Sequence, residues 1–266
     1  MKKKNHISAV GAVICNMVFM QFVVLGILQG LCEFLPISSS GHLLLFSSIF
    51  GIEESLFVSI ILHFATLLSI CVVMRKELFD LIKKPFSKEM GNLVLSSAFT
   101  AGVVVLIYDI AKNSYFEHFL PIFFMLSACI LFCTDIFFSK KVGKGLSKKQ
   151  AIIMGICQGL AIFPGLSRSG TTICGGLVSG GEKERVAKHS FLMSIPIILA
   201  SLFMECLDIA KGEIVSVPIF PLITSFVVAF VVGIFALKFM LKLTCKVKFR
   251  YFAYYLAFMS ILCLVV

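Results

Sequence analysis

The sequence predicts an all-α integral membrane protein, an inverted-topology repeat with about six transmembrane helices and two re-entrant helical hairpins. Three observations carry this expectation. Apolar residues fill 59% of the 266 positions and charged residues 14%, where soluble domains hold roughly 45–50% and about 25%; the mean hydropathy is +1.03. The apolar residues gather into runs near the length a spanning helix needs, roughly 17–25 residues. Finally, residues 29–41 (QGLCEFLPISSSG) and 158–170 (QGLAIFPGLSRSG) align without a gap at an offset of 129, with 7 of 13 positions identical.

Six runs qualify as spans, at about 55–74, 92–110, 119–138, 190–209, 219–241 and 251–266. Shifted by 129, the first three fall within a few residues of the last three. One membrane domain, 1–266, is therefore expected to hold two repeats, about 20–138 and 150–266, each a motif region followed by three spans. Three is odd, so the second repeat must enter from the opposite side of the bilayer.

The motif regions read as broken elements. Gly30, Pro36 and Gly41 interrupt the first, and Gly159, Pro164, Gly165 and Gly170 the second. Proline ends or kinks a helix, and glycine permits a sharp reversal. Non-helical backbone at membrane depth survives only where protein or a water-filled cavity satisfies it. Two hairpins meeting near the midplane meet that demand. Residues 1–19 form an N-terminal extension. Met1–Lys4 and the apolar run 7–28 resemble a signal peptide, but cleavage near Gly30 would destroy the motif. The run is expected to be an arm of the first hairpin.

Loop charge orients the chain. Loops 75–91 and 139–150 hold five Lys/Arg each, 181–189 three and 242–250 four, against one each in 111–118 and 210–218. The basic loops share one side of the six-span arrangement, which makes them cytoplasmic. The first hairpin then opens outward and the second inward. These short loops also account for the net charge of +10, so no nucleic-acid partner is expected. The ten cysteines form no CxxC or His/Cys cluster and read as small buried hydrophobes.

Chemistry concentrates in the two motifs, where the copies differ: Glu33 faces Ile162, Ser39 faces Arg168 and His42 faces Thr171. A carboxylate at bilayer depth costs roughly 2.5–3.5 kcal/mol on insertion scales, so Glu33 demands a function or a partner. Gln29 sits one helical turn before it, on the same face. Glu33 can bind a hard divalent cation, act as a general base or pair with Arg168 as a structural tie. The turn Ser38-Ser39-Ser40-Gly41-His42 presents successive backbone amides as an anion nest. A serine there can be a nucleophile with a base nearby, and His42 stands three residues after Ser39. In the second motif, Arg168 is flanked by Gly165, Ser167, Ser169, Gly170, Thr171 and Thr172. Its planar fork matches phosphate bidentately, and the hydroxyls and turn amides complete a candidate phosphate cradle.

Gln29-x-x-x-Glu33 with Phe34-Leu35-Pro36-Ile37-Ser38-Ser39-Ser40-Gly41-His42, and Pro164-Gly165-x-Ser167-Arg168-Ser169-Gly170-x-Thr172, closely resemble the undecaprenyl pyrophosphate phosphatases, the bacitracin-resistance proteins of bacteria. Ser190 to Pro196 also resembles the family's segment after the second hairpin. The resemblance implies hydrolysis of a C55 isoprenoid pyrophosphate to the monophosphate, recycling the lipid carrier for peptidoglycan synthesis and conferring bacitracin resistance. It implies a site facing the outer side of the cytoplasmic membrane. By matching position, Glu33, Ser39, His42 and Arg168 are expected to be catalytic. Gln29, Ser38, Ser40, Gly165, Ser167, Ser169, Gly170 and Thr172 are expected to bind substrate. Many family members carry Glu where this chain has Gln29, and an amide is a weaker metal ligand and no base.

The expected mechanism has the polyprenyl tail entering laterally from the bilayer and the pyrophosphate lying in the Ser/Arg cradle. A divalent cation, Mg²⁺ or Ca²⁺ near Glu33, bridges phosphate oxygens. The nucleophile is Ser39 with His42 as its base, or a water activated by His42 or Glu33. A homodimer is compatible with this reading. The rival is a transporter or flippase for a phosphorylated lipid or anion, since inverted repeats with broken helices are a transporter architecture.

Overall fold

The computed structural model describes the backbone of residues 2–50, 56–111, 114–138, 145–210, 218–246 and 248–265. Among the described residues every regular element is helical. Helices α1 (Lys2–Cys32) and α2 (Ser39–Phe50) form the first hairpin. They are followed by α3 (Leu56–Val73), α4 (Arg75–Lys83), α5 (Lys88–Ala111), a 3-10 turn (Ser114–Phe119) and α6 (Leu120–Phe138). The second hairpin is α7 (Lys148–Leu160) and α8 (Arg168–Val178), followed by α9 (Lys183–Ala210), α10 (Ile219–Lys246) and α11 (Arg250–Val265). The run 7–28 is part of the first hairpin's leading helix, since α1 is continuous to Cys32.

Among the described residues four helices are long and apolar enough to cross a bilayer, Lys88–Ala111, Leu120–Phe137, Lys183–Ile209 and Ile219–Thr244. A fifth candidate is the pair Phe57–Val73 and Arg75–Lys83, bent by 74° at Met74. The sixth expected span, 251–266, is a 16-residue helix. At about 1.5 Å per residue it rises about 24 Å, short of the roughly 30 Å apolar core. Helices α2, α7 and α8, of 12, 13 and 11 residues, are shorter still, as arms of broken hairpins must be.

Local sequence sets the breaks. Pro36 follows the end of α1, and Ser38 turns the chain with a left-handed φ of 70°. In the second hairpin Gly165 takes the corresponding reversal at φ 91°. Ser147 starts α7 with a capping box, its hydroxyl accepting from Gln150 N while its amide donates to the Gln150 side chain. Ser167 caps α8 by accepting from Gly170 N at 3.2 Å.

The two halves pack by exchanging the same contacts. A Cβ on Gly26 of α1 would meet Ser225 O of α10 at 2.6 Å, and one on Gly155 of α7 would meet Ser96 O of α5 at 2.4 Å. Gly30 approaches Ala229 O and Gly159 approaches Thr100 O in the same way. Each of these four positions recurs 129 residues on: 26 and 155, 30 and 159, 96 and 225, 100 and 229. The hairpin tips interlock similarly, Gly41 against Gly165 and Gly170 against Pro36. Small residues spaced by four let helices approach closely where lipid supplies no hydrophobic drive. The core joins both halves: Phe34, Phe124, Met154, Ile173, Met193 and Leu237 are buried in one cluster, and Phe34 meets Phe191 edge-on at 6.0 Å.

Candidate active site

The C-terminal end of α1 carries Gln29 and Glu33 on one face, both buried. Ser39 is the first residue of α2 and Arg168 the first of α8. All four side chains converge. Glu33 Oε2 accepts from Ser39 Oγ at 2.7 Å and from Gln29 Nε2 at 3.2 Å. Glu33 Oε1 accepts from Arg168 Nη2 in an ion pair. The N-termini of two helices therefore bear on one carboxylate. A helix N-terminus carries roughly half a positive charge and unpaired amides, so the buried negative charge is held by two dipoles, a guanidinium, an amide and a hydroxyl.

Around this centre the hydroxyls divide into two sets. Ser169 Oγ donates to Leu35 O at 3.0 Å and ties the hairpins. Thr172 Oγ1 bonds Arg168 O at 2.8 Å and Ser190 Oγ at 2.5 Å, holding the first turn of α8 against α9. Ser127 on α6 accepts from Ser167 N at 3.0 Å and donates to Gly165 O at 3.1 Å, clamping the second turn. These groups position the backbone. Ser38 and Ser40 hydroxyls lie 3.5 Å apart in the first turn, with Ser38 Oγ accepting from Gly41 N, and Ser40 is exposed. A narrow cleft opens beside the centre, lined by Glu33, Phe34, Arg168, Ser169, Ser190, Phe191 and Ser194. The Arg168 side chain is 23% exposed and that of Glu33 2%, so the cation is the more accessible member of the pair.

The expected pairing of Ser39 with His42 is not what the structure holds. Ser39 is bonded to Glu33. His42 Nδ1 lies 2.8 Å from Ser38 O and Nε2 2.7 Å from Tyr255 Oη. A carbonyl can only accept, so Nδ1 carries the proton and Nε2 receives the tyrosine hydroxyl. The His42 ring stacks on Tyr255 with centroids 5.6 Å apart and planes 7° apart. The physical reason is Ser38: its left-handed turn aims the carbonyl at the imidazole and leaves the Ser39 hydroxyl facing back toward α1.

Gln29, Glu33, Ser39 and Arg168 are thus brought together, while His42, also on α2, turns to Tyr255 of α11. Sequence reasoning missed three residues. Tyr255 and Ser127 are single hydroxyls within apolar runs, with only that polarity as a signal, and Ser190 was legible only as part of a family segment. No group of three or more His, Cys, Asp or Glu side chains gathers among the described residues. One buried acceptor in the centre lacks a hydrogen bond, Gln29 Oε1.

Comparison with known proteins places this geometry. A family model described as "Bacitracin resistance protein BacA" matches residues 22–262. A protein of Thermosipho africanus named undecaprenyl-diphosphatase is 38% identical over 250 residues, covering 91% of this chain and 98% of the relative. One of Bacteroides fragilis with the same name is 36% identical over 266 residues, covering 94% and 98%. Another, from Treponema denticola, is 36% identical over 251 residues, covering 89% and 93%. Both hairpin turns, all four converging side chains and Tyr255 fall inside the matched segment, and the chain belongs to the bacitracin resistance protein BacA family.

Proposed function

We propose that this chain hydrolyses undecaprenyl pyrophosphate to undecaprenyl phosphate and inorganic phosphate, renewing the lipid carrier for peptidoglycan synthesis and conferring bacitracin resistance. Beside the relatives' names, one observation carries the reading. Glu33 holds the Ser39 hydroxyl on one oxygen and the Arg168 guanidinium on the other, where two helix N-termini meet.

That arrangement suits phosphoryl transfer. The terminal phosphate enters the cleft and takes Arg168 from Glu33 Oε1, because a doubly charged phosphate is the stronger partner for the guanidinium fork. The amides at the start of α8 and the serine turn of α2 supply further donors to the equatorial oxygens. Glu33, relieved of its cation, accepts the Ser39 proton as Oγ attacks the terminal phosphorus. The bond from phosphorus to the bridging oxygen breaks, and undecaprenyl phosphate departs. The departing undecaprenyl phosphate carries off the proton that Glu33 took; water then attacks the phosphoserine phosphorus, losing a proton to Glu33, which returns it to Ser39 Oγ as the serine O–P bond breaks and inorganic phosphate leaves. His42, held by Tyr255 and Ser38 O, braces the serine turn.

The centre fits a divalent cation such as Mg²⁺ or Ca²⁺. Glu33 and the unpartnered Gln29 Oε1 are hard oxygen donors, and such ions complete their shell with substrate phosphate oxygens. When bound, the ion supplies charge neutralisation at the pyrophosphate. A single carboxylate in this set favours an ion held jointly with substrate over one resident in the free protein.

We further infer that the repeats are inverted. The exchanged contacts of Gly26 with Ser225 and Gly155 with Ser96 support a two-fold relation between the repeats, and three spans in each repeat favour an axis in the membrane plane. The loop charges then support a site on the outer side of the bacterial cytoplasmic membrane, opposite the basic loops. The tail enters from the bilayer between helices. A homodimer is compatible with a centre whose four residues come from one chain. The same repeat geometry favours a second reading, a carrier or flippase for a phosphorylated lipid. The test is phosphate release from undecaprenyl pyrophosphate by the purified protein, with EDTA, with Mg²⁺ or Ca²⁺, and beside Arg168→Ala. Release that needs Arg168 supports hydrolysis; no release from folded protein moves the reading to the carrier.

A further inference from the structure

Helix α4 departs from α3 by 74° at Met74, so if α3 stands across the bilayer, α4 lies near its surface. Its two apolar edges face different ways. Leu81 is buried and Leu78 packs on the core. Phe79, Ile82 and Phe86 point away from the protein, with exposures of 63%, 73% and 100%. Phe79 and Ile82 stand three apart on one stripe of α4, and Phe86 follows in the turn after the helix. An exposed stripe of this kind beside a spanning helix lies in the zone between headgroups and acyl chains.

The charges of the segment are sorted as well. Glu77 is taken by Lys188 of α9 at 3.2 Å, and Glu89 faces Arg185 at 4.0 Å. Glu77 thus turns to one of the protein's own cations, while the Glu89 side chain stays 66% exposed. Arg75, Lys76, Lys83, Lys84 and Lys88 remain on the outer surface, all exposed, with the acids Asp80 and Glu89 among them. Arg75 reaches only a backbone carbonyl, Val72 O at 3.3 Å, and Lys83 rests over the Phe79 ring at 5.8 Å. Arg75, Lys76, Phe79 and Asp80 line one open cleft. Two cations at the mouth of a cleft with an aromatic floor match a phosphate headgroup with an acyl chain below it.

We propose that α4 is a binding site for anionic phospholipid. The headgroup phosphate sits on Arg75 and Lys76, and Phe79, Ile82 and Phe86 lie among the acyl chains. The site is separate from the Glu33 centre and shares none of its residues. Free phosphate would satisfy the cations but not the apolar stripe. A second copy of the chain would cover the stripe but repel the five cations.

The chain contains no tryptophan, so Phe79→Trp introduces a single reporter. The full chain carrying it is reconstituted into phosphatidylcholine vesicles containing a minor fraction of either brominated phosphatidylglycerol or brominated phosphatidylcholine. The expected result is stronger quenching by the brominated anionic lipid. Adding Arg75→Gln and Lys76→Gln should cut that preference at least about fivefold, from the attraction of roughly one basic residue near a charged surface. Phosphate release in detergent should be unchanged by the two charge substitutions, which shows that the variant is folded. Equal quenching by both lipids overturns the proposal. So does an anionic preference abolished by millimolar inorganic phosphate at constant ionic strength, which marks a free-phosphate site. Protection from both quenchers also overturns it, since the stripe is then covered by protein.

Discussion

Ser39 Oγ donates to Glu33 Oε2 at 2.7 Å, across the broken tip of the first hairpin. The acid lies at the end of α1 and the hydroxyl begins α2, so the break in the chain is what brings them face to face. Glu33 is therefore the nearest acceptor for the Ser39 proton. Removing a general base costs about 10²–10⁴ in rate, so Glu33→Gln should lower kcat by that range while Ser39→Ala abolishes a phosphoserine. Rapid quenching with mass spectrometry should find phosphate on Ser39 in the wild type. Rates for Ser39→Ala close to wild type would transfer the attack to water.

Arg168→Ala should lose both activity and stability. Removing one partner of a buried ion pair leaves the other uncompensated, which costs about 3–5 kcal/mol. Adding Glu33→Gln to Arg168→Ala should recover much of the thermal stability, as measured by unfolding in detergent, without restoring phosphate release. A double variant no more stable than Arg168→Ala would show that Glu33 is sustained by something other than the arginine.

Gln29→Glu replaces an amide that donates to Glu33 and ends in an unpartnered oxygen. The variant sets two carboxylates together, and a divalent cation relieves their repulsion. Activity titrated with Mg²⁺ or Ca²⁺ should saturate at lower metal concentration than in the wild type, with turnover kept or raised. An unchanged metal titration would place the ion away from α1.

Tyr255→Phe removes one hydrogen bond to His42 Nε2 but keeps the stacked ring. A hydrogen bond of about 1 kcal/mol corresponds to a loss of about fivefold in kcat, with KM little altered and a changed pH profile. Unaltered kcat and pH profile would reduce Tyr255 to a packing residue.

Gly26→Val and Gly155→Val should destabilise to similar degrees, since each Cβ would collide with the matching carbonyl of the other half. Overpacking costs about 1–3 kcal/mol. Thermal unfolding of the two variants side by side tests the exchange, and a large loss at one site alone would contradict it.

Several of these relationships were legible in the linear chain. Spacing put Gln29 one turn before Glu33, the offset of 129 announced the repeat, and Pro36 and Gly165 announced the breaks. Covalent order and hydrophobic period are local properties, readable wherever the backbone follows a regular element. His42 shows the limit. Its distance of three residues from Ser39 permitted a base–nucleophile pair, but the left-handed φ of Ser38 turned the imidazole toward Tyr255.

The sequence by itself therefore determined that this chain is a helical membrane protein with two similar motifs 129 residues apart, the acid in one and the arginine in the other. Only the tertiary structure decided which groups meet: Glu33 with Ser39 and Arg168, His42 with Tyr255, and the glycines of each hairpin with the fifth or tenth helix of the other half. The reason is one of distance. Glu33 and Arg168 are separated by 135 residues and His42 and Tyr255 by 213. No spacing rule reaches that far; such pairs exist only because packing small residues against backbone carbonyls fixes where each hairpin tip comes to rest.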